Sequence, residues 1–468
     1  MSRGALLQLV AKSEIDNYLI DSTLKTTLFQ NNVKKISNFS EVPFSFYTTG
    51  SSTWGDTIRF RINKIGDLIT HMYLVLKLPN LSVADINDCD PSDNNIRDSN
   101  LRVKWNDYIG NTIIENVILR IGGQIIDEMS GEYLQFHTEL YDLCWSKICM
   151  VGHHNSLTFP QTTIEEQYVY IPLRFFFCND VTKALPVIGL EYHDIEVEVK
   201  LRTWDYSHLV LSKINNYDGI ETEVSKKNFA HTDYHITKKD FTDIRLDCNF
   251  IFLDETERIN MVKKRHEILI TQTQKLIVQC NKTDAIYLNF TNPIKDLIFA
   301  FQRSDYYNLG ELLNYSGKPL FIPMNNTIPY PYIEPTITDR LWDQIPDKHL
   351  LENMSIEFNG IERVPLRDYK YWHYVQNYEN YKTKMEHNVY MYSFGLNSKE
   401  NMGSCNFSMI DSVRLNIELS KSDTYPYLVG AADKNITVGP NNITAKIYAN
   451  NYNVFVIESG MGGLMYAI

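Results

Sequence analysis

The chain has 468 residues, of which 44% are hydrophobic and 12% aromatic, and this content excludes a largely disordered chain. Its formal charge of −12 argues against a protein that coats nucleic acid, because such a surface needs an excess of Lys and Arg. The length exceeds what one hydrophobic core usually serves, so we expect two folded domains.

No apolar run reaches the roughly 20 residues that span a bilayer, and the first residues lack a complete signal peptide. We therefore expect a soluble protein that is synthesised in the cytosol. The seven cysteines are scattered and lack Cys-x-x-Cys spacing. This pattern predicts reduced thiols rather than a disulfide framework or a zinc site.

Short strands with a period of two dominate the sequence. Residues 58–62, 195–199 and 413–419 alternate between apolar and polar side chains, as expected for strands with one face in a core. Other segments are continuously apolar or aromatic and suit strands covered on both faces: residues 73–78, 168–177, 250–253 and 296–301. Many such strands predict β-sandwiches.

Helical patterns are few. Residues 132–150, 255–266 and 367–384 are the three candidates, and each would decorate a β-protein rather than build its core. Three polar stretches exceed ordinary connections and are predicted to be long surface loops at one exposed end: residues 82–99, 204–239 and 306–347.

The two halves of the chain repeat each other in order. Residues 117–123 end in Gly-Gly and residues 354–360 end in Asn-Gly, and both dipeptides are typical of two-residue hairpin turns. An alternating strand at 195–201 precedes an apolar one at 250–253, as 413–419 precedes 454–457. Either echo alone could arise by chance, but their shared order favours two copies of one β-module.

Colinear segments carry a closer resemblance. They are GALLQLV (4–10), GDLIT (66–70), IGGQIID (121–127), IPLRFFF (171–177), ALPVIGLEYH (184–193), FLDETER (252–258), GSCNFS (403–408), NNYNV (450–454) and SGMGGLMYA (459–467). Together they resemble the double jelly-roll major capsid proteins of nucleocytoplasmic large DNA viruses, over nearly the whole chain. The loops at 85–100, 204–239 and 306–347 do not follow the family pattern.

The resemblance implies an all-β fold of two tandem eight-stranded antiparallel jelly-roll β-sandwiches, with short helices in loops and linker. Residues 1–25 would form an N-terminal arm facing the capsid interior, 26–254 the first jelly roll, 255–266 a linker helix and 267–468 the second jelly roll. Three chains would form a homotrimeric pseudo-hexagonal capsomer, and capsomers would tile an icosahedral shell over an internal membrane. Such a protein resides in the virion and is assembled in the host cytoplasm.

The implied partners are other copies of the chain, together with minor capsid and penton proteins. Residues 5–10, with Ile15 and Leu19, could form a short amphipathic helix in the arm. That helix could bind minor capsid proteins, touch the inner membrane peripherally, or pack on its own domain. The basic residues 263–266 have acidic neighbours, so we interpret them as a solvated linker face without direct nucleic-acid contact.

No catalytic, cofactor-binding or metal-binding residue is predicted, and the protein is not expected to be an enzyme. Residues 460–463 faintly resemble a phosphate loop, but such loops open a helix, so we expect glycines that allow close backbone approach. The pair His153-His154 and the segment 231–235 lack the ligand pattern of metal-binding jelly rolls.

Two alternatives remain open. The first is a minor capsid or scaffold-like protein of the same fold, present in few copies. The second belongs to a different class, a carbohydrate-binding jelly-roll protein, and is supported only by the fold and the aromatic content.

Overall fold

The computed structural model describes residues 7, 10–11, 36–48, 53–87, 101–141, 144–215, 221–225, 235–304, 310–316, 322–323, 349–396, 403–420 and 443–466. The chain divides into two compact units, Met1–Phe39 and Ser40–Ile468. In the first unit, the amide of Ala11 donates a hydrogen bond to the carbonyl of Leu7 at 2.9 Å, as in one helical turn. The side chains of Leu7 and Val10 are exposed.

Sixteen strands form two successive sets of eight. The first set is β1 Phe39–Tyr47, β2 Thr57–Ile62, β3 Leu68–Leu78, β4 Ile114–Ile121, β5 Gln124–Met129, β6 Gln167–Pro172, β7 Ile195–Leu201 and β8 Ile244–Leu253. The second set is β9 His266–Cys280, β10 Thr283–Tyr287, β11 Pro293–Arg303, β12 Leu351–Phe358, β13 Ile361–Asp368, β14 Val389–Ser393, β15 Val413–Leu419 and β16 Ile443–Glu458.

Both sets have the same topology. The first pairs its strands in the orders β1-β8-β3-β6 and β2-β7-β4-β5, and the second in the orders β9-β16-β11-β14 and β10-β15-β12-β13. Each set therefore follows the order 1-8-3-6 and 2-7-4-5, which is an eight-stranded jelly roll. The predicted double jelly roll is confirmed, and we call the two sets roll 1 and roll 2.

The predicted alternation accounts for the cores. In β2, β7 and β15 the apolar side chains are buried and the intervening polar side chains are more exposed, because successive residues of a strand point to opposite faces. The prediction of one strand over residues 168–177 is wrong, because β6 ends at Pro172 and Phe176–Cys178 forms a 3-10 turn. A proline cannot donate to a strand ladder, so it favours a strand end.

The two predicted hairpins are confirmed at equivalent positions in the rolls. The β4–β5 turn places Gly122 and Gly123 at φ 60° and 82°, and the β12–β13 turn places Asn359 and Gly360 at φ 50° and 80°. Such tight turns need two left-handed residues, which Gly and Asn adopt most readily. The duplication that the sequence suggested is therefore present in the fold.

The helices agree with the sequence predictions only in part. Within the described residues they are α1 Ile109–Ile113, α2 Gly131–Tyr141, α3 Trp145–Met150, α4 Asn155–Thr158 and α5 Glu255–Lys263, and α5 confirms a helix within the predicted 255–266. The described part of residues 132–150 thus contains two helices rather than one. Residues 367–384 also differ: β13 continues to Asp368, and two π-helical segments follow, Tyr371–Val375 and Asn377–Tyr381.

Parts of the predicted long loops are strands. His208–Asn215, Glu221–Ser225 and Ile322–Pro323 lie in two of these loops and form one small four-stranded sheet with Leu101–Trp105. Trp54, Trp105 and Trp204 pack together beside it, with ring centroids 5.0–6.2 Å apart. Residues 88–99, 216–220, 226–234, 306–309, 317–321 and 324–347 of these loops lie outside the described residues. Among the described cysteines, six are free.

Gly131 is a point of close backbone approach at the start of α2. A Cβ atom there would lie 1.9 Å from the carbonyl oxygen of Asn111 and 2.4 Å from that of Ile114. Because both are backbone atoms, a larger residue would have to displace α1 or β4.

We expect Gly131→Ala to lower the free energy of unfolding by roughly 1–3 kcal/mol or more, as overpacking does. Denaturant unfolding followed by circular dichroism measures this loss. Gly463→Ala is the control, because its nearest contact is the flexible Gln124 side chain at 3.3 Å. Equal stability of Gly131→Ala and wild type would contradict the steric argument.

Candidate functional site: the contact between the two rolls

Helix α2, which follows β5 of roll 1, packs on the outer face of a sheet of roll 2. On β11, Leu297 and Phe299 point into the core of roll 2, whereas the alternate residues Ile298 and Ala300 belong to the hydrophobic cluster of roll 1. Successive residues of a strand face opposite ways, so roll 2 is covered on both sides of this sheet. The two rolls therefore share a continuous apolar contact.

A buried ionic network lies at its centre. Glu132 of α2 accepts hydrogen bonds from Nζ of Lys446 at 2.7 Å and from Nη2 of Arg202 at 3.2 Å. Lys446 also donates to Gln302 at 2.6 Å. Burial opposes the charge of Glu132, but Lys446 and Arg202 more than offset it and lower the pKa of that carboxyl. A buried charge of this kind is tolerated only when it is paired.

Tyrosines and asparagines surround this network. Oη of Tyr133 donates to Oδ1 of Asn450 at 2.6 Å, and the hydroxyls of Ser130 and Tyr448 lie 3.0 Å apart. Tyr141, at the end of α2, donates to Asp296 of β11. These three hydroxyl groups of roll 1 thus find partners on roll 2, as buried polar groups require.

The facing edges of β5 and β9 meet through side chains. The amide of Thr273 donates to Oδ1 of Asp127 at 3.1 Å, and Nε2 of Gln272 donates to the carbonyl of Ile126. Desolvation by burial raises the pKa of Asp127 to about 7, although hydrogen bonds from the backbone of Thr273 and Glu128 oppose the rise.

A third contact joins α2 to the segment before β14. The buried carboxylate of Glu139 binds the ring of His387 and accepts the backbone amides of Glu386 and His387 at 3.2 and 3.3 Å. Burial opposes the charge of His387, but Glu139 outweighs it and raises the histidine pKa. Tyr108 donates to the carboxylate of Glu386, so roll 1 holds this segment at two points.

The C-terminal glycines serve the same contact. Met461–Leu464 is a short strand paired with β16, not the start of a helix. The amide of Gly462 donates to Nδ1 of His193 at 3.1 Å, and the amide of Tyr192 donates to the carbonyl of Gly460 at 2.9 Å. A Cβ at Gly462 would lie 2.6 Å from Leu190. These glycines therefore permit the close approach expected from the sequence.

The sequence candidates His153 and His154 have local contacts. His153 stacks on Tyr108 with centroids 4.1 Å apart, and Nδ1 of His154 lies 2.7 Å from Oγ of Ser156. Residues 231–234 and the side chain of His235 are outside the described residues. Within the described ranges, no group of three or more His, Cys, Asp or Glu side chains could hold a metal ion.

The basic residues 263–266 have local partners. Arg265 pairs with Glu267 at 3.0 Å and with Glu458 at 3.6 Å, and Nε2 of His266 donates to the carbonyl of Met261 at 2.6 Å. These contacts agree with the interpretation of a solvated linker face. In the part of the chain that the structure describes, no helix has the length and apolar content to cross a membrane.

Sequence reasoning missed the residues of the inter-roll contact. Lys446, Asn450 and Asn453 are polar residues that β16 buries, and their presence in a strand of 16 residues was the available signal. A strand that carries buried polar groups must meet matching groups elsewhere. The sequence does not say that Glu132 supplies the match, because 314 residues separate it from Lys446.

The fold and this contact define a double jelly-roll protein. The model of the large eukaryotic DNA virus major capsid protein matches residues 257–463, and the model of the major capsid protein N-terminus matches residues 27–254. The chain belongs to this family of viral major capsid proteins.

Individual relatives agree with the assignment. The chain is 26% identical to the major capsid protein of Phaeocystis pouchetii virus and 27% identical to that of Paramecium bursaria Chlorella virus 1, over 99% of each chain. The crystal structure of PBCV-1 VP54 has a similar fold, with a TM-score of 0.70 and 23% identity over 94% of this chain and 100% of VP54.

The family and its relatives are structural capsid proteins that form the virion shell by self-association. The predicted capsid function is therefore confirmed, and the protein is not an enzyme. Its functional residues are those that hold the subunit in one shape and those that meet other subunits.

We expect Glu132→Gln to destabilise the protein by about 3–5 kcal/mol, because the change leaves buried cations without their counter-charge. Denaturant unfolding of both proteins measures the loss. Glu115→Gln is the matched control: Glu115 pairs with Lys200 at 2.9 Å, but both side chains are nearly half exposed, so less than about 1 kcal/mol is expected. Similar losses in the two variants would contradict a special role for the buried network.

The raised pKa of Asp127 predicts a pH effect. Between about pH 4 and pH 7 the folded protein retains a proton that the unfolded chain, with an Asp pKa of 3.8, has released. This group's contribution to stability is therefore largest at low pH and falls as the pH rises through that window.

Asp127→Asn should remove part of this dependence. We expect a smaller change in unfolding free energy between pH 5 and pH 7.5 than in wild type, with the variant the more stable at pH 7.5. Melting curves at both pH values measure it, and Asp411→Asn, at an exposed position, is the control. An unchanged pH profile in Asp127→Asn would refute the assignment.

Proposed function

We propose that three copies of the chain form a pseudo-hexagonal homotrimer, and that such capsomers tile an icosahedral shell. The supporting observation is that both rolls have one topology and are held together by a buried polar contact. Three such chains would place six similar rolls around one axis, which approximates a hexagon. Repeated equivalent contacts of this kind are how closed symmetric assemblies form.

We also propose the domain division 1–25, 26–254, 255–266 and 267–468. Helix α5 lies between the last strand of roll 1 and the first strand of roll 2, and the two family models meet in the same region. A short helix with acidic residues in its first turn and Lys263 in its last is a stiffer connection than a flexible linker.

The further partners belong to the proposal as well. Minor capsid and penton proteins would bind beneath and at the vertices of the shell, and the N-terminal arm would contact them or, peripherally, an inner membrane. Synthesis and assembly in the host cytoplasm would follow. The support for these partners is membership in the capsid family alone.

We expect the purified chain to have a mass near three times 54.5 kDa in solution, and this mass should persist on dilution. Static light scattering at several concentrations measures it. A monomer at every concentration would contradict the self-sufficient trimer and would favour the minor capsid alternative.

A further inference from the structure

The sheet β1-β8-β3-β6 of roll 1 and the sheet β9-β16-β11-β14 of roll 2 correspond residue by residue. Strands β3 and β11 both contain eleven residues, and each has a bulge against its neighbour at the same place. Asn249 pairs with His71 and the register then shifts, just as Asn450 pairs with Asp296 before its shift. Asn249 therefore corresponds to Asn450, and His71 corresponds to Asp296.

Alternate residues along the same strands extend the correspondence. Asp247 pairs with Tyr73 in roll 1, where Tyr448 pairs with Ile298 in roll 2. These residues point to the outer face of the sheet, away from the core between the two sheets of the roll. We call this face of roll 1, defined by His71, Tyr73, Asp247 and Asn249, the outer face.

The equivalent faces differ in burial. In roll 2, Asp296, Ile298 and Tyr448 are fully buried and Asn450 is 5% exposed, because α2 of roll 1 covers them. In roll 1, all four residues of the outer face are only partly buried. Next to them on β6, Tyr168 is 47% exposed and Tyr170 is 37% exposed. Among the described residues, no helix covers the outer face as α2 covers roll 2.

Roll 2 carries a helical segment at the position of α2. In roll 1, α2 follows β5; in roll 2, the π-helical residues 371–381 follow β13, the equivalent strand. Trp372 and Tyr381 of this segment are buried in their own chain. Tyr374 is 56% exposed and Tyr378 is 80% exposed, so one aromatic side of the segment has no cover in the described structure.

We propose that residues 374–378 of one copy dock on the outer face of roll 1 in a second copy. This inference rests on the proposed trimer and names its interface. This contact between chains would repeat the contact that α2 makes within the chain. Tyr374 and Tyr378 would meet Asn249 as Tyr133 meets Asn450. The surfaces that meet are different, so the contact runs head to tail and closes into a ring after three copies.

The edge strands that would face each other between two copies are suited to contact through side chains. Within the chain, the edges of β5 and β9 meet through side chains and do not form a ladder. The strands that would meet between copies are β13 and β1, the equivalent edges, and each contains a proline, Pro365 and Pro43. Proline in an edge strand prevents continuous strand pairing. The proposed contact between copies therefore consists of packed side chains and not of a continuous strand ladder.

The first test is Tyr378→Arg, which places a charge in the proposed contact without touching the core. We expect light scattering to show that this variant dissociates at a protein concentration at which wild type stays trimeric, even when wild type is diluted a further tenfold. The circular dichroism spectrum should be unchanged. Tyr287→Arg is the matched control: Tyr287 is 53% exposed and lies on β10, a strand outside the proposed contact, so the trimer should persist.

The second test is oxidative cross-linking of a Tyr378→Cys, Asn249→Cys double variant in which the exposed Cys144 is replaced by Ser, as it is in both single variants. We expect covalent dimers and trimers on non-reducing gels, whereas each single variant should remain at 54.5 kDa. If wild type is a trimer but Tyr378→Arg stays trimeric and no cross-link forms, the interface lies elsewhere and this inference is wrong. If wild type is a monomer throughout, the proposed trimer fails first, and the inference fails with it.

Discussion

The architecture depends on the pairing of Glu132 of roll 1 with Lys446 of roll 2, to which Arg202 of roll 1 adds a second cation. A carboxylate in an apolar contact is costly unless cations and hydrogen bonds compensate it, so this group favours the placement of α2 that brings it to Lys446. The surrounding hydrogen bonds, such as that from Tyr133 to Asn450, also form in this placement of α2. The subunit is consequently held in one shape, which a particle built from many identical copies requires.

The two rolls have equivalent outer faces with the same backbone geometry, but the two faces differ in burial. Asn450 is buried beneath α2, whereas its counterpart Asn249 is only partly buried and binds Glu41 at 2.9 Å. Lys446 lies in a buried network, whereas its counterpart Arg245 pairs with the neighbouring Asp243 and Asp247, which like Arg245 are only partly buried. In the proposed interface, the contact within the chain serves as a template for the contact between chains, because equivalent backbone positions present equivalent shapes.

Local patterns predicted the strands well and the helices poorly. The alternation of apolar and polar side chains in β2, β7 and β15 indicates a sheet with a single buried face. The dipeptides Gly122-Gly123 and Asn359-Gly360 favour a two-residue hairpin turn. The segment at 371–381 lacks a clear period because its aromatic residues serve two surfaces, its own core and the exterior. A single-period criterion cannot recognise such a segment.

The sequence by itself determined the fold class, the duplication and the family, because these follow from local periodicity, turn chemistry and colinear motifs. Only the tertiary structure decided which polar residues meet. Glu132, Asp127 and His387 look like ordinary surface residues in the sequence, and each acquires its role from a partner more than 140 residues away. Such pairings depend on how two finished sheets pack, and that information is not contained in any local stretch of chain.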